Sequence, residues 1–330
     1  MCARSEIDKK NMAEVDRVLK DYPQIFKKYI NGLSKKTSYT KKAYAYYLRN
    51  FIEYLKNNSD INIKNNKNFS KILPMDINEY MNYIGVKENG EEKSATYLVA
   101  NLAAINGFFK FLLANGIIDK NPCDTIESPK DNKEHEIVTI DEDDLDIIID
   151  NIYNGVGSEK ARSTQEKWIN RDIALVTLGM TTGLRVSAIC GIDVGDINFE
   201  EGYISVTEKG NKQRKIYIGT RTKVTLKKWI KDRSKMTNRK EKALFICQTG
   251  TRISCRAVQN RFKQITEGTG KRITPHKMRA TCATTLYEKT GDIYMVQRQL
   301  GHKNIENTKR YAKISVEKER EAASILDCAF

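Results

Sequence analysis

The 330-residue chain lacks the marks of several protein classes. It contains no uninterrupted run of 18 or more apolar residues, so no membrane span is expected. Its first eighteen residues, MCARSEIDKKNMAEVDRV, have no apolar core and do not read as a secretory signal. Both absences point to the cytosol. Proline is scarce, at 5, and 40% of residues are hydrophobic, which excludes collagen-like and wholly disordered chains. The seven cysteines, at 2, 123, 190, 247, 255, 282 and 328, are odd in number and form no CxxC pair. No histidine sits at ligand spacing from two of them. A disulfide scaffold is therefore excluded, and reduced, mostly buried thiols are expected in preference to a zinc site. Histidine occurs only three times, at 135, 276 and 302.

Cationic charge is abundant. Lys plus Arg is 57 against 42 Asp plus Glu, a formal net of +15. The excess is uneven. Residues 134–159 hold nine acids and no Lys or Arg, whereas residues 160–330 hold 35 basic and 17 acidic side chains, a net of +18. Such a region suits a polyanion, DNA or RNA ahead of a membrane surface, although a soluble lysine-rich surface has the same composition.

The length suggests two domains, and the pattern divides near residue 130. Residues 22–125 read as all helical. Tyr44, Leu48, Phe51 and Leu55 share one helical face, with Thr40 as N-cap. A short helix over 75–84 follows Pro74. A third over 94–113 places Leu98, Leu102, Ile105, Phe109 and Leu112 inward and stops at Asn115-Gly116. Asn101, Asn106 and Lys110 mark this last segment as a bundle helix and not a membrane span. Residues 57–70 read as a loop, and residues 127–137 as a polar linker. The second half is mixed. A helix capped by Thr139 or Asp141 runs to residue 149, residues 153–165 read as a loop, and an apolar helix spans 171–179. Strands at 203–207 and 215–218 flank a hairpin turn, Lys209-Gly210-Asn211-Lys212. Helices return from 222 onward. Residues 1–21 are left open among a helical arm, an interaction tail and a disordered segment.

The informative residues lie in the second half. Arg185 ends Thr181-Thr-Gly-Leu-Arg. Lys209 follows 24 residues later in the hairpin turn. His276 and Arg279, at i and i+3, open a helix after Thr274-Pro275. His302 follows Gly301, and Tyr311 lies nine residues further on in Asn-Thr-Lys-Arg-Tyr-Ala. Each alone has an ordinary structural reading as an ion-pairing arginine, a solvated lysine, a helix-end histidine or a core tyrosine.

As an ordered set, these six residues resemble the tyrosine recombinase (phage integrase) family. The resemblance extends to Thr40, Tyr44, Phe51 and Leu55, and to residues 94–122, which look like that family's core-binding domain. It covers about residues 22–315 and leans toward the small Xer-like or mobile-element members, because 21 residues are too few for a large arm-binding domain. The implied fold is an all-α, SAM-like core-binding domain (22–126) and a linker (127–137). A mainly α catalytic domain with a small antiparallel sheet follows (138–330), the DNA breaking-rejoining fold. The two would clamp duplex DNA in a C shape. Residues 315–330 would form an exchange segment that docks on a neighbouring protomer or folds back on its own.

The resemblance also implies roles. Arg185 and Arg279 would clamp the non-bridging oxygens of a phosphodiester, which suits a permanently charged planar fork. Tyr311 would be the nucleophile, His276 its proton acceptor, His302 a hydrogen-bond partner of the phosphoryl oxygens and Lys209 the general acid for the 5′-hydroxyl. No cofactor and no metal are implied. Candidate phosphate contacts are Lys212, Arg214 and Lys277, with Lys41 and Lys42 on the first domain. Two positions depart from the family pattern: Ala188 stands where an acid is usual, and Ala280 where histidine is common. The expected partners are double-stranded DNA with an inverted-repeat site and three further recombinase protomers, identical or related. The alternatives are a type IB topoisomerase and a non-catalytic DNA-binding protein on the same scaffold.

Overall fold

The computed structural model describes residues 3–59, 61, 66–87, 89–129, 137–208, 212–237 and 240–311. The chain forms two compact units, Met1–Glu134 and His135–Phe330.

The first unit is a helical bundle of α1 (Ala3–Val18), α2 (Gln24–Gly32), α3 (Ser38–Asn58), α4 (Pro74–Gly85) and α5 (Ala95–Ala114). The cap of α3 is Thr37 and not Thr40. Thr37 is extended and its hydroxyl accepts the Thr40 backbone N–H at 3.3 Å, so Thr40 sits within the first turn. Leu48, Phe51 and Leu55 are buried on its inner face. Within the stretch expected to be a loop, residues Asn66–Lys71 form a 3-10 helix that buries Phe69. Helix α5 is long and apolar enough to cross a membrane by composition. Its surroundings are those of a core helix: Phe108 stacks on Phe26 at 4.5 Å, and Phe69 meets it edge-on. Asn101 is fully buried and donates to the Tyr97 carbonyl at 2.9 Å. The first helix joins the same core through Val15 and Val18.

The second unit opens with α6 (Glu142–Asn154), α7 (Glu159–Glu166), α8 (Ile169–Thr182) and α9 (Val186–Gly191). The acidic stretch is partly a capping device. Asp141 and Asp144 form a reciprocal capping box at the start of α6, and Lys271 bridges both carboxylates. Helix α7 replaces the expected loop. It buries no residue, so there is no apolar period to read. Gln165 holds it by accepting from the Val156 N–H and donating to the Val156 carbonyl.

A three-stranded antiparallel sheet follows, ordered β1 (Ile197–Asn198), β2 (Tyr203–Glu208), β3 (Lys212–Tyr217). The sequence pattern shows only the last two, because β1 is two residues long. The register pairs Ile204 with Ile216 and closes the hairpin at Glu208 and Lys212. The remaining helices are α10 (Thr220–Met236), α11 (Cys255–Ile265), α12 (Pro275–Thr290), α13 (Ile293–Leu300) and α14 (Glu306–Lys309). Among the described residues between α10 and α11, the chain is not helical, and isolated bridges pair Ala243 with Asp193 and Ile246 with Arg252. Ala243, Leu244, Phe245 and Ile246 are fully buried, and Leu244 donates to the Ile192 carbonyl at 2.8 Å. A continuous apolar run of four residues suits a buried strand-like segment as well as a helix, and here long-range pairing decides.

An ion cluster lies under this core. Asp172, 2% exposed, accepts from Arg171 Nε at 2.8 Å and from Arg261 Nε at 2.6 Å. Removing one member of such a cluster strands buried charge. Asp172→Ala is expected to destabilise the protein by about 3–5 kcal/mol in urea unfolding, with Asp172→Asn losing less.

Candidate active site

The site grows from the ends of three helices. Helix α8 ends at Gly183, whose φ of +63° is left-handed and turns the chain outward. A Cβ there would lie 2.7 Å from Leu300 Cδ2, so α8 and α13 meet at a contact that only glycine allows. Arg185 follows two residues later as the N-cap of α9 and is exposed. Helix α13 ends in the same way. Gly301 is left-handed at φ +65°, and His302 is next.

Arg279 joins these two ends. It rises from α12, is 2% exposed, and donates from Nη1 to the Gly183 carbonyl at 2.6 Å and from Nη2 to the Leu300 carbonyl at 2.7 Å. Both acceptors lie at helix C-termini, where the macrodipole favours a cation. Arg214 acts beside it: Nη1 donates to the Arg298 and Gln299 carbonyls, each at 2.9 Å. The Gln297 carbonyl takes the His302 backbone N–H at 3.1 Å. All four terminal carbonyls of α13 are thus satisfied, two of them by Arg214. The guanidinium of Arg214, expected at a DNA phosphate, is engaged with the helix that presents His302.

Tyr311 is buried, at 6% exposure, against Ala280, Ala283, Val296 and Leu300. Its ring lies 6.5 Å from His302, tilted by 18°. Thr308 serves both residues. Its hydroxyl bonds His302 Nδ1 at 2.9 Å, and its carbonyl accepts the Tyr311 N–H at 2.9 Å. The Arg310 guanidinium lies over the Tyr311 ring at 5.9 Å. Ala280, one of the two departures from the family pattern, belongs to the apolar floor under Tyr311. The other, Ala188, packs against the main core.

His276 opens α12. Partial burial holds its pKa below the ordinary 6.5, and the charges of Arg279, Arg310, Lys277 and Arg185 lower it further. It is therefore neutral near pH 7 and able to accept a proton. Arg185, His276 and Arg279 line one groove of about 1060 Å³, together with Arg256, Lys263 and Arg272.

The structure thus brings together Arg185, His276 and Arg279 around one groove, and His302 and Tyr311 beside the carbonyls that hold Arg279. Lys277 is half-buried on α12, beside His276. Lys209 lies outside the described residues, as do residues 315–330, and the Lys212 side chain is not described. Lys41 and Lys42 belong to α3 in the first unit, where Lys41 Nζ donates to the Asn31 carbonyl at 3.3 Å.

Sequence reasoning missed Thr308, Arg310 and the polar stripe of α11. The stripe was legible. Arg256, Gln259, Asn260 and Lys263 recur at i, i+3, i+4 and i+7, opposite the buried Val258, Phe262 and Ile265.

The chain matches known proteins over most of its length. The phage integrase family matches residues 139–318. The chain is similar to tyrosine recombinase XerC of Vibrio vulnificus strain YJ016, 29% identical over 285 residues, 81% of this chain and 86% of that protein. It is also similar to tyrosine recombinase XerC of Haemophilus influenzae strain PittEE, 32% identical over 231 residues, 69% of this chain and 73% of that one. Its fold is similar to that of the XerH site-specific recombinase solved with a palindromic difH substrate after cleavage. The TM-score is 0.70 at 20% identity, over 97% of this chain and 89% of that one. The chain belongs to the phage integrase family and is a tyrosine recombinase.

Gly183→Ala forces an L side chain into a left-handed backbone and against Leu300. It is expected to cost about 1–3 kcal/mol in a denaturant titration and to loosen the α8–α13 contact on which the site is built.

Proposed function

We propose that the protein cuts and rejoins DNA at a specific site through a covalent tyrosyl intermediate. The observation that carries this reading is the Arg279 fork. It ties the turn leading to Arg185 and the turn leading to His302 into one rigid unit, with Tyr311 against it. A phosphodiester held by two guanidiniums has its charge neutralised in the pentacovalent transition state.

The proposed steps are these. Tyr311 Oη attacks phosphorus, and its proton passes to neutral His276. The bond from phosphorus to the 5′-oxygen breaks, and Lys209 protonates the departing oxygen. A 3′-phosphotyrosine remains. The reverse reaction with a 5′-hydroxyl from a second duplex reseals the strand and builds a Holliday junction. The bond energy is retained in the phosphotyrosine, so no nucleotide hydrolysis is needed. His302, oriented through Thr308, hydrogen-bonds a phosphoryl oxygen. The basic groove, with the α11 stripe on its wall, receives the duplex, and its affinity is strongly salt dependent. Four protomers, identical or related, act on two inverted-repeat sites in the cytoplasm.

The test is covalent capture on a duplex library nicked near its centre. Wild type is expected to form adducts that converge on one inverted-repeat sequence. Tyr311→Phe should bind the same DNA and form none. Adducts without a consensus would favour a nicking-closing topoisomerase, and wild-type binding without adducts a DNA-binding protein.

The rate should also report His276. A base whose pKa is lowered stays active until the pH falls through that lowered value, so the acid limb of single-turnover cleavage should lie below pH 6.5. Arg310→Ala removes one of the cations that lower it, and the limb should move toward higher pH. An unmoved limb would assign the proton to another group.

A further inference from the structure

We propose that Gln299 is a positioning residue for Arg185: its carboxamide fixes the α8 terminus from which the Arg185 turn departs. Gln299 Nε2 donates to the Thr182 carbonyl at 3.1 Å, across 117 residues of chain. Thr182 is the last residue of α8 and is fully buried. A carbonyl in that position has no intrahelical partner and no access to water, so a side-chain donor has to supply the bond. The proposal rests on the strand-cleavage reading above for the role of Arg185 at the phosphate.

The bond matters because of Gly183. Gln299 holds the peptide plane before that glycine. Arg279, bonded to the Gly183 carbonyl at 2.6 Å, holds the plane after it. The φ and ψ of Gly183 are the two torsions between those planes. Glycine has the widest backbone freedom of any residue, and a turn held on one side only is free to swing about both torsions. Held on both sides, Gly183 stays at φ +63°. Arg185 follows two residues later and is exposed, so its aim rests on this backbone and not on the packing of its side chain.

Gln299 is itself held. Its backbone carbonyl accepts Arg214 Nη1 at 2.9 Å. Arg214 belongs to β3, the strand that leaves the hairpin containing Lys209. One residue of α13 therefore receives a bond from the hairpin strand through its main chain and passes one to the Arg185 turn through its side chain. The same helix ends just before His302. Placement of the phosphate clamp is thus tied to the hairpin and to α13, and not to α8 alone. An apolar side chain at 299 would leave the Thr182 carbonyl buried without this donor.

The first arm of the test needs no DNA. Hydrogen–deuterium exchange of the full-length protein is compared for wild type, Gln299→Met and Gln299→Glu. Met matches the length without a polar donor, and Glu matches the shape but sets an acceptor oxygen against the Thr182 carbonyl. Both are expected to speed exchange at residues 183–187 while β2 stays as protected as in wild type. Unchanged exchange at 183–187 would overturn the proposal. Loss of protection throughout the unit in both variants would also overturn it, by assigning Gln299 to overall stability. The second arm measures single-turnover cleavage of a centrally nicked duplex carrying the captured site. Its scissile phosphate is either native or a methylphosphonate, in each stereoisomer. A methylphosphonate is uncharged and has less need of a guanidinium. Gln299→Met is expected to slow cleavage of the native phosphate roughly 10–100-fold, the cost of a misplaced group. It should slow far less the methylphosphonate isomer that best restores Arg185→Ala. Equal slowing on both substrates would overturn the link to Arg185. Wild type that cleaves neither substrate would sink the strand-cleavage reading, and the exchange arm would still decide whether Gln299 fixes the turn.

Discussion

A buried guanidinium holds the catalytic unit together at its centre. Arg279 is almost completely withdrawn from water, and an unpaired charge in that position would be costly. Its cost is offset by carbonyls at two helix C-termini, where the backbone itself supplies partial negative charge. The same pair of bonds sets geometry. Gly183 and Leu300 stand two residues before Arg185 and His302, so one side chain places two separate loops. Arginine suits this because its planar fork reaches two acceptors at once, where a lysine ammonium acts as a point charge.

The surrounding electrostatics follow from that arrangement. Arg214 binds the carbonyls just before Leu300, so α13 delivers His302 from a terminus with its backbone acceptors filled. Thr308 then couples His302 to Tyr311 through one hydroxyl and one carbonyl. Burial first, and then the cations around His276, lower its pKa and so keep the imidazole neutral in a basic groove. Elsewhere the unit neutralises its charges internally. Asp172 pairs two arginines beneath the core, and the acids that open α6 engage Lys271. The strong positive excess is thereby left to the surface and the groove.

Local pattern carried much of the architecture. The periods of α3 and α5, the glycine stops before Arg185 and His302, and the β2–β3 hairpin all match residue choices that act over a few positions. The misreadings have physical causes. Helix α7 buries nothing and so has no apolar period. The run at 243–246 is apolar on every residue, and its long-range backbone bonds, Leu244 to Ile192 and Ile253 to Phe245, hold it outside a helix. The cap of α3 shifts from one threonine to another three residues away, a choice that composition alone does not separate. The polar stripe of α11 was present at helical spacing, but its meaning depended on which groove it lined.

By itself, the sequence determined the helical first half, the small sheet in the second and the ordered set Arg185, His276, Arg279, His302 and Tyr311. These rest on local backbone preference and on residue types whose chemistry has few substitutes. Only the tertiary structure decided how that set is organised. It buried Arg279 as a fork between two helix ends, committed Arg214 to α13, and made Thr308 the link between His302 and Tyr311. Those assignments depend on carbonyls up to 96 residues away along the chain, and a backbone carbonyl leaves no trace in the amino-acid alphabet.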